Sequence, residues 1–391
     1  MKARSASRSP SSSKARLIVA DSERDPDLLY ATRFFAPDPF VYLEKGGRTL
    51  VMLNDLEIDR GRVQAKVDEV VAFSEVAARC GGKAGGKAGG KVKNVASFSE
   101  VILQLLKERR VRSAEVPGTF PLGLAGKLRA GGIALEPREG LFFPQREFKT
   151  ADELRALRRA LAITEAGMAR GMEVLAASEI AAGKRLTWGG KALTSERLRA
   201  EIDSAILHAG GLPANTIVAG GNQACDPHER GHGPLKADSL IILDIFPRDA
   251  RSGYYGDMTR TVVRGRASDA QRQLWETVLA GQQQALRAMR PGVDGGEVHR
   301  AVTDFFAARG YPTGQKDGRW TGFFHGTGHG LGLEIHEAPR FGATRFRPGQ
   351  VLTVEPGLYF PGLGGVRIED VAVITETGHR VLSRFVKRLE I

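Results

Sequence analysis

Three of the chain's eight histidines lie within residues 325–337, HGTGHGLGLEIHE. His325 and His329 are four residues apart, a spacing that would place both on one face of a helix. The interleaved glycines make a helix unfavourable, by about 1 kcal/mol each relative to alanine. We therefore predict an extended segment whose backbone approaches another group closely. In an extended chain His325 and His329 share a face, and His336 joins them only if the chain bends.

Four acidic residues interrupt apolar, strand-like segments, where a charge is costly. They are Asp244 in LIILDIF, Asp257 after Tyr-Tyr-Gly, Glu355 in VLTVEPG and Glu369 in VRIEDVAVI. Acidic side chains are rarely buried unless they are paired or bind a metal ion. One such acid could face water at a sheet edge, and the histidines alone could be surface residues of a glycine loop. Four acids together with a glycine-flanked histidine predict a shared site.

The chemistry of these side chains indicates which metal ions they would bind. One imidazole and four carboxylates form an oxygen-rich set without cysteine, which argues against a structural zinc site. The set suits Mn²⁺, Co²⁺, Fe²⁺ or Zn²⁺ in a two-ion hydrolytic centre in which some carboxylates bridge. Asp244 and Asp257 flank a turn, as do Glu355 and Glu369, so paired strands can bring the members of each pair together.

The surrounding sequence predicts two domains, because 391 residues exceed the length that one core usually serves. We place a disordered basic tail at residues 1–14, an α/β domain at 15–148 and a larger domain at 149–391. The runs RLIVA, PFVYLEK and RTLVMLN indicate strands of the first domain, and FSEVILQLLKERR indicates an amphipathic helix. The low-complexity segment GGKAGGKAGGK (81–91) predicts a surface loop.

The larger domain is predicted to be α+β, with long helices flanking a curved antiparallel sheet. Thr150 and Glu153 form a capping box that opens a long helix with apolar residues at helical spacing. Further helices are expected at about 194–209, 269–289 and 295–309. The four acids lie in expected strands, which are SLIILDIF, YYGDMTRTVV, QVLTVEPGLYF and GVRIEDVAVIT.

Composition restricts the class of protein. The chain is 42% hydrophobic and 26% charged, which is typical of a globular protein, and no apolar run is long enough to cross a membrane. The N-terminus lacks the apolar core of a secretory signal. Cys80 and Cys225 are the two cysteines, so no disulfide framework is expected and a cytoplasmic location fits. A net charge of +12 permits nucleic-acid binding, but no binding module occurs, which favours a solvated basic surface.

Five motifs follow one another along the larger domain. They are LD at Asp244, GDMTRT at Asp257, HGTGHGLGLEIHE at His329, VEPG at Glu355 and RIED at Glu369. Their order resembles that of the pita-bread metallopeptidases, which comprise methionine aminopeptidases, Xaa-Pro aminopeptidases, Xaa-Pro dipeptidases (prolidases) and creatinases. The resemblance covers residues 150–391 and implies a pita-bread fold. The segment ending IHE is similar to the proline-specific branch, and the complete ligand set argues against creatinases. Residues 1–150 are similar, more loosely, to the creatinase/prolidase N-terminal domain.

The resemblance implies a role for each metal-binding candidate. Asp244 would bind one metal ion, and Asp257 and Glu369 would bridge the two ions. His329 and Glu355 would hold the second ion. Glu355 would also act in catalysis, by carrying a proton from water to the leaving nitrogen. Mn²⁺ is the expected metal, with Co²⁺, Zn²⁺ and Fe²⁺ as alternatives.

The resemblance also implies substrate-binding and catalytic residues outside the metal-binding set. His228 would line the substrate pocket and take part in catalysis, with His232 as the alternative for this position. His325 and His336 would stabilise the tetrahedral intermediate and hold the scissile amide. Arg367 would order Glu369 or contact the substrate. The family commonly has a small residue soon after the first aspartate, whereas this chain reads IFPR there, and this bulk could narrow the pocket.

These features imply hydrolysis of the Xaa-Pro bond in short peptides, and an Xaa-Pro dipeptidase is the expected activity. An Xaa-Pro aminopeptidase that acts on longer peptides is one alternative, and a non-catalytic pita-bread binding protein is another. The nitrogen of proline carries no N–H, so its recognition requires a dedicated pocket. We expect a homodimer that binds short proline-containing peptides and neither membranes nor nucleic acids.

Overall fold

The computed structural model describes residues 14–80, 96–342 and 344–391. Nearly all of the expected basic tail, and the whole Gly/Lys-rich segment 81–91, lie outside the described residues. The chain divides into two compact units, Met1–Pro144 and Gln145–Ile391. The division therefore falls between residues 144 and 145, where the sequence suggested 148 and 149.

The N-terminal unit is built on one mixed sheet. Its strands are Ala15–Ala20 (β1), Phe40–Lys45 (β2), Arg48–Leu53 (β3), Glu69–Ala72 (β4), Ser113–Pro117 (β5) and Ala134–Arg138 (β6). Its helices are Pro26–Thr32 (α1), Ile58–Gln64 (α2), Phe73–Ala77 (α3), Phe98–Glu108 (α4) and Leu122–Ala130 (α5). The strand order is β4-β3-β2-β1-β5-β6, in which β1 pairs antiparallel with β2 and parallel with β5. These elements confirm the predicted α/β class.

The larger unit contains the long helices that the sequence predicted. They are Ala151–Ala177 (α6), Ser195–His208 (α7), Asp269–Ala288 (α8) and Gly295–Ala308 (α9). Thr150 accepts from the main-chain N–H of Glu153, and the Glu153 carboxylate accepts from the N–H of Thr150, which confirms the capping box. No helix in the described parts of the chain is both long and apolar enough to cross a membrane.

The strands of the larger unit form several antiparallel sheets. They are Glu179–Ile180 (β7), Leu186–Trp188 (β8), Lys191–Ala192 (β9), Gly211–Leu212 (β10), Ile217–Gly220 (β11), Leu240–Ile245 (β12), Arg248–Asp249 (β13), Met258–Val263 (β14), Gly314–Lys316 (β15), Arg319–Thr321 (β16), His329–Gly330 (β17), Glu337–Arg340 (β18), Val351–Val354 (β19), Gly357–Phe360 (β20), Gly364–Arg367 (β21), Asp370–Ile374 (β22) and His379–Val381 (β23). Three sheets frame the interior, with orders β11-β12-β14, β18-β17-β19-β22-β23 and β20-β21. This arrangement agrees with the predicted α+β class.

Three of the predicted strands differ from those observed. QVLTVEPGLYF is divided into β19 and β20, and GVRIEDVAVIT into β21 and β22, and the two parts of each belong to different sheets. Pro356 interrupts the first because it has no N–H to continue the ladder. The N–H of Glu369 interrupts the second by donating to the carbonyl of Thr259, 3.1 Å away. YYGDMTRTVV is a strand only from Met258 onward. The glutamates therefore lie at breaks between strands.

Candidate metal centre

A cavity of about 550 Å³ lies in the larger unit. The structure brings every residue of the predicted site to its lining, namely Asp244, Asp257, His329, Glu355, Glu369, His228, His325, His336 and Arg367. Phe246, which follows Asp244 in the bulky IFPR segment, also lines it. His232 contributes instead to a separate, smaller cavity of about 260 Å³. The volume of the larger cavity is that of an ordinary small-molecule site.

Strand register places the two aspartates next to each other. Asp244 lies in β12 and pairs with Thr259 of β14. Asp257 lies immediately before β14, two residues ahead of Thr259, and lines the same cavity as Asp244. The pairing of β12 with β14 therefore brings the two carboxylates to one cavity. The turn between the strands therefore brings Asp244 and Asp257 together, as the sequence predicted.

The glycine-rich segment approaches the neighbouring strand closely, as predicted. A Cβ atom at Gly328 would lie 2.0 Å from the carbonyl oxygen of Thr353, so only glycine fits there. The main-chain N–H of Glu355 donates to the carbonyl of Thr327 at 2.8 Å, and the N–H of His329 donates to the Thr353 hydroxyl at 3.1 Å. These bonds hold His329 and Glu355 side by side.

The ligand atoms converge at the floor of the cavity. One donor atom from each of Asp257, His329 and Glu369 lies within 4.8 Å of the other two, and all three residues are buried. The His329 Nε2 is 3.3 Å from Glu355 Oε1 and 3.7 Å from Asp257 Oδ2. The His329 Nδ1–H donates to the carbonyl of Gly330 at 3.1 Å, which leaves Nε2 free to bind a metal ion.

The electrostatics of the centre favour a cation. Burial, and then repulsion by neighbouring carboxylates, raises the pKa of Asp257 and of Glu369 well above the usual values. Burial lowers the pKa of His329 to about 3, so this imidazole is neutral at physiological pH. Asp244 Oδ1 is buried without a hydrogen-bond partner in the described chain. Oxygen ligands, a neutral imidazole and an unpartnered buried oxygen fit a divalent metal ion.

Arg367 links one side of the centre to the scaffold. Its Nη2 donates to Asp244 Oδ2 at 2.7 Å, its Nη1 donates to the Tyr359 hydroxyl at 3.0 Å, and its Nε donates to the Thr259 hydroxyl at 3.3 Å. Thr259 in turn donates to Glu369 Oε2 at 2.8 Å. Arg367 therefore orders Asp244 directly and Glu369 through Thr259.

The two flanking histidines have different surroundings. The Nδ1–H of His325 donates to the carbonyl of Gly326 at 2.9 Å, and its Nε2 accepts from the Tyr359 hydroxyl at 2.8 Å. Burial lowers the pKa of His325 to about 3, which keeps it in this neutral form. The exposed His336 ring packs edge-on against His329, with centroids 4.3 Å apart, and has no hydrogen bond within the described residues. The chain therefore bends after His329.

A buried ion cluster supports the bend that carries His336. Glu337 accepts from Arg146 Nη2 at 2.8 Å and from Lys149 Nζ at 2.6 Å, and its carboxylate also accepts from the N–H of Glu334 at 3.3 Å. A Cβ atom at Gly332 would lie 2.3 Å from this carboxylate. The cluster therefore fixes the end of the glycine-rich segment.

Sequence reasoning missed several residues that contribute to the site. Tyr359 looked like an ordinary apolar strand residue, although its hydroxyl joins His325 to Arg367. Thr259 is part of the GDMTRT motif, but nothing in its residue type indicated its position. Asp226 and Arg340 line the cavity and were not singled out. Asp226 lies in the CDPHERG segment, two residues before His228, so an acid close to a candidate histidine is the signal that the sequence offers.

Oxygen ligands and one imidazole, gathered in a cavity of this size, place the site among metal-dependent hydrolases. The chain belongs to metallopeptidase family M24, whose sequence model matches residues 155–376. It is 32% identical over 250 residues to the Xaa-Pro dipeptidase of Pyrococcus furiosus, a match that covers 62% of this chain and 65% of that protein. The chain thus spans just under two thirds of that relative's length.

Solved structures share the architecture. The prolidase from Pyrococcus furiosus matches the structure with a TM-score of 0.75 at 23% identity, and the match covers 96% of this chain and 97% of the prolidase chain. The X-Pro aminopeptidase from Thermotoga maritima has a TM-score of 0.78 at 20% identity, with coverage of 96% and 97%. These likenesses confirm the predicted pita-bread fold. The family match, over residues 155–376, identifies the chain as a metallopeptidase.

Proposed function

We propose that the protein is an Xaa-Pro dipeptidase, which hydrolyses the bond before proline in short peptides with the help of two divalent metal ions. The observation that carries this proposal is the combination of a buried Asp257–His329–Glu369 donor group with an arginine, Arg340, in one cavity. The donor group supplies the hydrolytic centre, and Arg340 can bind the free carboxylate of a dipeptide. The related Xaa-Pro dipeptidase sequence supports the same activity.

We assign the metal ligands as the sequence suggested. Asp244 would hold one ion, Asp257 and Glu369 would contact both, and His329 and Glu355 would hold the other. Two divalent ions, when bound, would activate a water molecule and polarise the scissile carbonyl. Mn²⁺ is our proposed metal because carboxylates with one imidazole suit it, and Co²⁺, Zn²⁺ and Fe²⁺ suit related donor sets.

The protein's own residues would handle the proton and the developing charge. Glu355 lines the cavity beside His329, with its Oε1 3.3 Å from the His329 Nε2, and its carboxylate would take the proton of the attacking water and pass it to the leaving nitrogen. His336 is exposed in the cavity lining, and a ring N–H without a protein partner can donate to a substrate oxygen. Both ring nitrogens of His325 are already engaged, so we propose that it acts through Tyr359 to hold Arg367.

Arg340 would select dipeptides over longer peptides. It is exposed, lines the cavity, and its guanidinium has no ion pair within the described part of the chain. A guanidinium binds a carboxylate through two parallel hydrogen bonds. The carboxylate that follows proline in a dipeptide satisfies it, whereas a longer peptide presents an uncharged amide there. His228 and Phe246 line the same cavity and would enclose the proline ring.

The test compares Met-Pro, Met-Pro-Ala and Met-Ala as substrates of the manganese-loaded protein, beside a chelated control. We expect metal-dependent cleavage of Met-Pro alone. We expect Arg340→Gln to raise KM for Met-Pro at least about tenfold, the cost of losing a hydrogen bond to a charged group. Arg300→Gln, which removes an exposed charge outside the cavity lining, should leave KM unchanged.

The other outcomes separate the remaining functions. Cleavage of Met-Pro-Ala would make the protein an Xaa-Pro aminopeptidase with an open groove. Cleavage of Met-Ala at the same rate as Met-Pro would contradict the proposed specificity for proline. Failure to cleave all three, with no bound metal, would support a non-catalytic binding protein.

We further propose that the protein is a cytoplasmic homodimer. Cys80 and Cys225 are free thiols in the structure, which suits a reducing compartment. Light scattering from the purified protein would determine its mass in solution, where a mass of 42.2 kDa would identify the monomer and contradict the dimer.

A further inference from the structure

We infer that Asp226 gives the cavity a preference for substrates with a cationic side chain, lysine or arginine, on the residue before proline. This inference rests on the proposed dipeptidase function and concerns its choice of substrate. Asp226 lines the same cavity as the metal-binding candidates, yet it is exposed, whereas Asp257 and Glu369 are buried. It therefore lies toward the solvent side of the cavity.

Asp226 shares the cavity lining with Arg340, which is proposed above to bind the substrate's terminal carboxylate, and the two residues form no salt bridge with each other in the structure. The Asp226 Oδ1 accepts from the main-chain N–H of His228 at 3.3 Å, and its carboxylate has no ion pair among the residues that the structure describes. The arginine deepest in the lining, Arg367, is already paired with Asp244. An ionised carboxylate beside a binding cavity attracts a cation and repels an anion.

The turn that carries Asp226 is held in place. The N–H of Asp226 donates to the carbonyl of Gln223 at 3.1 Å, and its own carbonyl accepts from the N–H of Glu229 at 3.1 Å. The next residue is Pro227, whose ring fixes its own φ angle. The carbonyl of Pro227 accepts from Arg367 Nη2 at 3.4 Å. The carboxylate therefore occupies a defined place relative to the metal-binding floor.

A dipeptide offers two kinds of cationic group to Asp226, which are the α-amino group and a lysine or arginine side chain, and they differ in reach. The α-amino group of a dipeptide is attached to the carbon next to the scissile carbonyl, so it must remain near the buried floor of the cavity. A lysine side chain places its ammonium group at the end of a flexible four-carbon stem. That ammonium group, or the guanidinium of arginine, can extend to an exposed carboxylate of the lining while the scissile carbonyl stays at the floor.

The experiment compares Lys-Pro, Met-Pro and Glu-Pro as substrates of the manganese-loaded wild type and of Asp226→Asn. Asparagine keeps the acceptor for the N–H of His228 and removes only the charge. Because exposed ion pairs are weak, we expect kcat/KM for Lys-Pro to fall about two- to five-fold and that for Glu-Pro to rise by a similar factor. Met-Pro should be unaffected. The changes should lie in KM and shrink at high salt, since they arise from screened binding interactions.

Glu229→Gln is the matched control. Glu229 lies on the same turn, does not line the cavity and accepts from the N–H of Gly231 at 3.0 Å, a bond that glutamine can keep. It should leave the selectivity unchanged, so an equal effect of both variants would attribute the preference to general surface charge and overturn the inference. A uniform loss for all three dipeptides in Asp226→Asn would assign Asp226 to the α-amino group and also overturn it.

A measurement of dipeptide binding distinguishes failure of this inference from failure of the proposed activity. If none of the dipeptides is cleaved, the dipeptidase function fails, and calorimetric titration of the same protein with Lys-Pro and Glu-Pro still tests Asp226. Tighter binding of Lys-Pro that is lost in Asp226→Asn would support the inference. Equal affinities in the wild type, or no binding of either dipeptide, would overturn it.

Discussion

Replacing Glu355 by glutamine is expected to stabilise the metal-free protein at neutral and alkaline pH, although it removes a proposed metal ligand. Burial, reinforced by the charge of Asp244, raises the pKa of Glu355 from its usual 4.5 to about 7, against the opposing effect of Arg367. The folded protein therefore resists ionisation of this carboxyl group. Glutamine is neutral at every pH and can still accept from the Thr353 hydroxyl, which lies 3.3 Å from Glu355 Oε1.

Proton linkage gives the sign and the size of this change in the free energy of unfolding. Below about pH 4.5 the carboxyl group is protonated in both the folded and the unfolded state, and Glu355 adds no pH dependence to the free energy of unfolding. As the pH rises toward 7, the unfolded state loses the proton while the folded state keeps it, so the wild type loses stability. The difference between about 7 and 4.5 corresponds to about 3 kcal/mol, at roughly 1.4 kcal/mol per pH unit. Above pH 7 the loss is constant.

Urea unfolding followed by tryptophan fluorescence measures this difference, because Trp188, Trp275 and Trp320 all lie in the larger unit. With metal removed by a chelator, the Glu355→Gln variant should match the wild type at pH 4 and exceed it by about 3 kcal/mol at pH 8. Saturating Mn²⁺ should reverse the order by stabilising the wild type more. A difference that does not change with pH would refute the claim that burial of the ionised carboxylate is costly.

Three further changes test other parts of the centre. Asp257→Ala should abolish metal binding and peptide hydrolysis while the N-terminal unit stays folded, as metal analysis and circular dichroism would show; full activity would contradict the two-metal assignment. Arg367→Lys should lower the free energy of unfolding by about 2 kcal/mol and reduce kcat, because lysine cannot supply the forked donors of a guanidinium. Gly332→Ala should cost about 1–3 kcal/mol and reduce kcat, because its Cβ would lie 2.3 Å from the Glu337 carboxylate, whereas Gly342→Ala has nothing within 4 Å and should be tolerated.

The metal-binding residues could be identified from sequence because each conflicted with its local context. Asp244 and Asp257 stand beside apolar strand residues, and His329 stands among glycines, so ordinary packing explained none of them. The structure places Asp244 within β12 as the pattern indicated. It places Glu355 and Glu369 at breaks between strands, where pairing changes from one sheet to another. The sequence did not indicate these breaks, because the apolar pattern continues on both sides of each glutamate.

The residues that orient the ligands could not be identified in the same way. Thr259 and Tyr359 are common strand residues, and their hydroxyl groups acquire a role only when β14, β20 and β21 come together around Arg367. Arg146 and Lys149 lie far along the chain from Glu337, which they bind. Such pairings depend on tertiary contacts between distant segments, and no local spacing encodes them.

The arrangement of charges implies that folding and metal binding are coupled. The site holds four acidic residues, yet Arg367 is paired with only one of them, Asp244. Asp257, Glu355 and Glu369 are held close together by β14 and by the strand breaks, and burial raises the pKa of each. Because the scaffold cannot separate these groups without losing its sheet pairing, the metal-free protein must protonate them or lose stability. A divalent cation removes that cost and so should stabilise the fold most where the carboxylates are ionised.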